Sequence, residues 1–117
     1  MTTDSRIKRI GFATARLKED LLALDSGQFE EKQLAAYIRQ ATEELLLNPR
    51  AGVKLPERLW PKEIKRRYDI DNLFKYDLPG GWRLIYTLRG TAIEVLIVLL
   101  EWYKHKDYEK RFGYNVG

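Results

Sequence analysis

The chain has 117 residues, 44% of them hydrophobic and 32% charged, with 21 Lys and Arg against 17 Asp and Glu, for a formal net charge of +4. That length supports one domain over residues 1–117, and the modest positive charge suits a polyanionic partner without demanding one. The absence of cysteine excludes disulfides, thiolate metal sites and cysteine nucleophiles, and one histidine argues against a histidine-built metal centre.

The opening residues, Met1-Thr-Thr-Asp-Ser-Arg6, lack the apolar core of a signal peptide. The longest apolar stretch, Val95 to Leu100, is far shorter than the roughly 20 residues that span a bilayer, so a cytoplasmic protein without membrane contact is expected. Residues 6–13 suit a short edge strand. From Thr14 the period turns helical, through Ala13, Leu17, Leu21 and Leu24, until Asp25-Ser-Gly27 supplies a stop. A longer helix is expected from about Glu30 to Leu47, with Leu34, Ile38, Ala41 and Leu45 on one stripe. Asn48-Pro49 ends it, because proline lacks an amide donor and disfavours helix in the residue before it. The two helices are expected to run antiparallel with their apolar stripes against a sheet. Residues 49–71 are the least regular, and Lys62, Lys65, Arg66 and Arg67 cluster on one helical turn after Pro61. That cluster reads equally as a solvated loop or as a surface that tracks a phosphate backbone.

A hairpin follows. With Pro79-Gly80-Gly81 as the turn, Leu78 faces Trp82, Asp77 faces Arg83 and Lys75 faces Ile85. Alternation then puts Phe74, Tyr76, Leu78, Trp82, Leu84 and Tyr86 on one apolar face, and Lys75, Asp77 and Arg83 on the other. After a second turn near Gly90, the segment Thr91–Trp102 is apolar from Ile93 to Leu100, as for a strand near the sheet centre. The tail beyond it, Lys104–Phe112, is basic, rich in tyrosine and compatible with a short helix, and it holds the one histidine, His105.

Lys75, Arg83 and His105 are the side-chain types needed to cleave RNA through its own 2′-hydroxyl. An imidazole transfers protons near neutral pH, a guanidinium grips phosphate oxygens bidentately, and an ammonium adds positive charge at the phosphorane. Each also has a duller reading. Arg83 opposite Asp77 is a cross-strand ion pair, Lys75 a solvated strand residue, His105 a surface residue, and Tyr103, Tyr108 and Tyr114 a cover for the sheet end.

The segment Leu73-Phe-Lys-Tyr-Asp-Leu-Pro-Gly-Gly-Trp-Arg-Leu-Ile-Tyr86 and the tail His105-Lys-Asp-Tyr-Glu-Lys-Arg-Phe-Gly113 closely resemble the RelE-like toxins. These are ribosome-dependent mRNA interferases of the RelE/ParE superfamily, from type II toxin–antitoxin systems. Over residues 6–48 only the strand–helix–helix order is comparable. The resemblance implies an α+β fold, with two N-terminal helices packed on a small twisted antiparallel sheet and a short C-terminal basic tail or helix. It implies metal-independent cleavage without a cofactor. Arg83, His105, Lys75 and Tyr108 fall at positions that the family uses for catalysis and substrate contact. Lys62, Lys65, Arg66, Arg67, Lys104 and Arg111 are the candidate RNA-binding cations. The implied partners are mRNA, the ribosome, and a short, acidic, partly disordered antitoxin that binds by a helix in a groove or a strand on the sheet edge. Two departures stand out: Asp77 occupies a place where some interferases carry a second lysine, and the glutamate some use as base has only Glu63 as a candidate. The alternatives are the ParE-like branch, which inhibits DNA gyrase without a nuclease site, and an inactive RNA- or antitoxin-binding module.

Overall fold

In a computed structural model, which describes residues 4–113, strand β1 (Ile7–Phe12) leads into helices α1 (Ala15–Leu24) and α2 (Phe29–Leu47). Thr14 stops the strand and starts α1: its backbone is extended and its hydroxyl accepts the Leu17 amide at 3.1 Å. Helix α2 opens on a capping box between Gln28 and Glu31, with Glu30 and Glu31 favourably placed in its first turn. The chain continues through β2 (Val53–Lys54), α3 (Lys62–Arg67), β3 (Phe74–Leu78), β4 (Trp82–Gly90), β5 (Glu94–Lys104) and α4 (His105–Phe112).

The five strands form one sheet in the order β1-β5-β4-β3-β2. The hairpin register is the expected one, with Leu78 opposite Trp82, Asp77 opposite Arg83 and Lys75 opposite Ile85. Gly80 and Gly81 turn it with φ of 76° and 82°, which disfavours any residue carrying a Cβ. Three expectations need correction. The sheet is mixed, since β1 pairs parallel with β5, and this strand precedes the helices. Alternation assigns faces and says nothing of direction, so the sequence could not show this. Residues 49–71 contribute an edge strand, β2, too short for any periodicity. The third concerns the core.

A chain of this length has room for one core, although the apolar run from Ile93 to Leu100 already called for cover on both faces, and hydrophobic clusters cover both faces of the sheet. On the first, Leu21 of α1 and Leu34, Ile38, Ala41 and Leu45 of α2 meet Phe74, Leu78, Leu84, Tyr86, Ile97 and Leu99. On the second, Leu55, Ile64 of α3, and Tyr108 and Phe112 of α4 close over Leu73, Ile85 and Leu100. Burying each such side chain contributes about 1.5–3 kcal/mol. The face carrying Lys75 and Arg83 is therefore a packed surface with a charged rim. Ile93, at the start of the expected strand, is exposed.

A register shift lets β5 serve both cores. Tyr86 pairs with Leu99 but Ile85 pairs with Glu101, so Leu100 is an extra residue. Leu100 and Glu101 then share the second face, Trp102 returns to the first, and Tyr103 comes opposite Arg83.

The irregular segment after α2 is tied to the sheet by Tyr86, whose hydroxyl donates to Pro49 O at 2.8 Å and accepts from Gly52 N at 3.0 Å. Burial pushes this hydroxyl up to about 12. Tyr86→Phe should cost about 1–2 kcal/mol near neutral pH, for two lost bonds to backbone. Because the folded value is raised, the stability held by the neutral phenol is complete below pH 10 and lost as pH rises through 12, by about 2–3 kcal/mol. Urea unfolding of both proteins between pH 8 and 12 should show the wild-type advantage shrinking across that window.

Candidate active site

Lys75 and Asp77 stand two apart on β3 and therefore share a face, and Arg83 joins them as the cross-strand partner of Asp77. Lys75 Nζ lies 3.0 and 3.2 Å from the two Asp77 oxygens. Arg83 Nε lies 3.0 Å from Asp77 Oδ1, but its N–H does not point along that contact and remains buried without a directed hydrogen bond. Of the remaining guanidinium nitrogens, Nη1 donates to Trp82 O at 3.2 Å and Nη2 lies 3.1 Å from His105 Nδ1.

His105 reaches this place because β5 ends at Lys104, opposite Trp82, and α4 begins at once. A Cβ added to Gly81 would lie 3.7 Å from the His105 Cβ, so the hairpin turn abuts the histidine. One helical turn on, Glu109 Oε1 lies 2.8 Å from His105 Nε2. Arginine can only donate, so Nδ1 accepts from Arg83 and Nε2 carries the proton that Glu109 receives. This hydrogen-bonding pattern sets the Nδ1 lone pair on the guanidinium side. Glu109 escaped the sequence reading, although its spacing of four from His105 was the available signal.

Tyr108 sits beneath the two cations, 2% exposed, with its ring stacked on Phe112 at 4.4 Å. Lys75 Nζ and Arg83 Cζ lie 5.8 and 5.9 Å from its centroid. Its ring is the floor on which Lys75 and Arg83 rest. The Tyr103 hydroxyl is also buried and finds no hydrogen-bond partner among the described residues.

The expected RNA-binding cations differ in exposure and in partners. Lys62 and Arg66 are exposed on α3. Lys65 pairs with Glu57 at 3.7 Å, and Arg67 pairs with Glu101 at 3.1 Å. Arg111 bonds Glu63 at 2.9 Å, also approaches Glu101 at 3.7 Å, and lies 5.0 Å from the Tyr103 centroid. Lys104 is exposed, with Nζ 5.7 Å from the Trp82 centroid. Glu101 also receives the Tyr68 hydroxyl at 2.9 Å, and so it clamps α3 and α4 to the sheet end. Glu63, the candidate base, is engaged by Arg111. Tyr114 lies outside the described residues. Among the described residues no cluster of three or more His, Cys, Asp or Glu side chains is placed to hold a metal.

The model of the family described as the ParE toxin of type II toxin–antitoxin system, parDE, matches residues 13–100. No curated protein and no solved structure matches the chain. The matched span includes Lys75, Asp77 and Arg83 and ends before His105 and Glu109.

Tyr108→Ala should lower stability by about 3–5 kcal/mol in chemical unfolding, as for a core aromatic. A ring exposed for stacking would cost under about 0.5 kcal/mol.

Proposed function

The chain belongs to the ParE toxin family of type II toxin–antitoxin systems, and from that premise we propose that it cleaves mRNA on the ribosome. The observation that carries this reading is the 3.1 Å contact between Arg83 Nη2 and His105 Nδ1. It sets the chain's one imidazole against a guanidinium suited to grip a phosphate. The neutral ring offers Nδ1 as the base that takes the 2′-hydroxyl proton, and Glu109 stabilises the imidazolium that forms. The freed 2′-oxygen attacks phosphorus and the bond to the 5′-oxygen breaks, giving a 2′,3′-cyclic phosphate and a 5′-hydroxyl. With its side chain kept on the Tyr108 ring, Arg83 redirects its Nη2 hydrogen bond from Nδ1 to a phosphorane oxygen, and the Lys75 ammonium supplies charge and a proton to the leaving oxygen. The exposed Lys62, Arg66 and Lys104 meet the RNA backbone around the site.

A toxin of this kind has a cognate antitoxin as partner. Strand β1 pairs with β5 only over Glu94–Leu99, so the β5 edge from Leu100 to Tyr103 borders a groove against α1 lined by Leu17, Leu24 and Tyr68. An extended antitoxin segment fits there as an added strand.

The second reading, inhibition of DNA gyrase, is favoured by the matched model being that of ParE and by the match ending before His105. Primer extension on a defined mRNA in a translating extract separates the two. Wild-type protein should cut within A-site codons only when ribosomes are present. Arg83→Gln and His105→Ala should slow cutting by at least about 100-fold with little change in melting temperature, and Glu109→Gln by about 10-fold. Loss of gyrase supercoiling without any cutting would replace this reading with the second.

A further inference from the structure

Asp77 is an odd neighbour for a phosphate-binding pair, and its geometry gives it a role. Its carboxylate is held by both Lys75 and Arg83, at 3.0 Å from each. The two cations are the fixed part of this arrangement: their side chains are 17% exposed and rest on the Tyr108 ring. Asp77 is the movable part, with a side chain 55% exposed. Its contact with Arg83 is also poor, because the Nε proton is not directed at the carboxylate oxygen. A carboxylate and a phosphate use the same donors and the same negative charge, so the seat of one is a seat for the other.

We propose that the Asp77 carboxylate is a displaceable counter-ion occupying the seat of the substrate phosphate, which makes Asp77 the residue that decides which anions the site admits. The proposal rests on the reading of Lys75 and Arg83 as the phosphodiester site. A phosphate enters by turning Asp77 out toward water, where its exposure already lets it go. Unlike the Asp77 carboxylate, which is tethered to β3, a phosphate is free to turn an oxygen toward the Arg83 Nε proton, and its entry costs the ion pairs of Asp77. A small phosphate ion has nothing else with which to offset that cost. An RNA chain does, because its neighbouring phosphates reach the exposed Lys104 and Lys106 on either side of His105. Asp77 thus excludes free phosphate and mononucleotides and admits extended RNA, a selectivity built on a repulsive element.

The test is a titration with inorganic phosphate at constant ionic strength, followed by the ring signals of His105. As the chain's one histidine, it needs no assignment, and it lies 3.1 Å from Arg83. Asp77→Asn and Asp77→Ala should each half-saturate at a phosphate concentration at least about tenfold below wild type, a gain of about 1.4 kcal/mol. Adding Arg83→Gln should erase the gain. Equal or weaker phosphate binding by both Asp77 variants, with melting curves showing them folded, would overturn the counter-ion role. Ribosome-dependent cutting by the wild type tests the nuclease reading separately. A tenfold gain without cutting would keep the anion seat and remove the nuclease, and cutting without the gain would do the reverse.

Discussion

One extra residue in β5 organises the functional end of this protein. Without Leu100 as a bulge, strict alternation would carry Glu101 and Tyr103 to the face covered by α1 and α2 and leave Arg83 without Tyr103 opposite it. With it, Glu101 turns to the face of α3 and α4, where Arg67, Arg111 and Tyr68 converge on its carboxylate. Burial pushes the Tyr68 hydroxyl up, which keeps it a donor to that carboxylate. Helix α4 is seated by this clamp together with Tyr108 and Phe112, and α4 delivers His105.

The second core has the same consequence for the cations. Lys75 and Arg83 rise from a sheet face whose apolar residues are sealed by Ile64, Tyr108 and Phe112, so both are partly desolvated at the rim. Partial desolvation strengthens every charge interaction made there. A pair of cations in that setting needs a counter-charge, and Asp77 provides one from the same strand.

The family match and the geometry cover different parts of the chain. The matched residues 13–100 contain the scaffold, both cations and Asp77. His105 and the Glu109 carboxylate that faces its Nε2 come from α4, beyond that span. Under the proposed nuclease reading, the deciding group lies on the eight residues of α4. Positioning is the physical reason. The scaffold supplies charge, and only α4 adds a group that exchanges protons near neutral pH.

Much of this was legible in the sequence. The period of Leu17, Leu21 and Leu24 and that of Leu34, Ile38, Ala41 and Leu45 gave both helices, since repeats of three and four leave one apolar stripe. The turn Pro79-Gly80-Gly81 gave the hairpin register and with it the shared face of Lys75, Asp77 and Arg83, because a short loop fixes pairing locally. Local patterns could not reveal the parallel pairing of β1 with β5, which joins residues far apart in the chain, or the bulge at Leu100, where an unbroken apolar run hides any change of phase. The second core was equally hidden, its anchors Ile64, Tyr108 and Phe112 being scattered among charges in short helices. Sequence by itself determined which residues share a strand face or a helix stripe, because those are consequences of backbone period. Tertiary structure alone decided which faces meet, and so placed His105 on Arg83, Tyr108 beneath the cations and Asp77 between them.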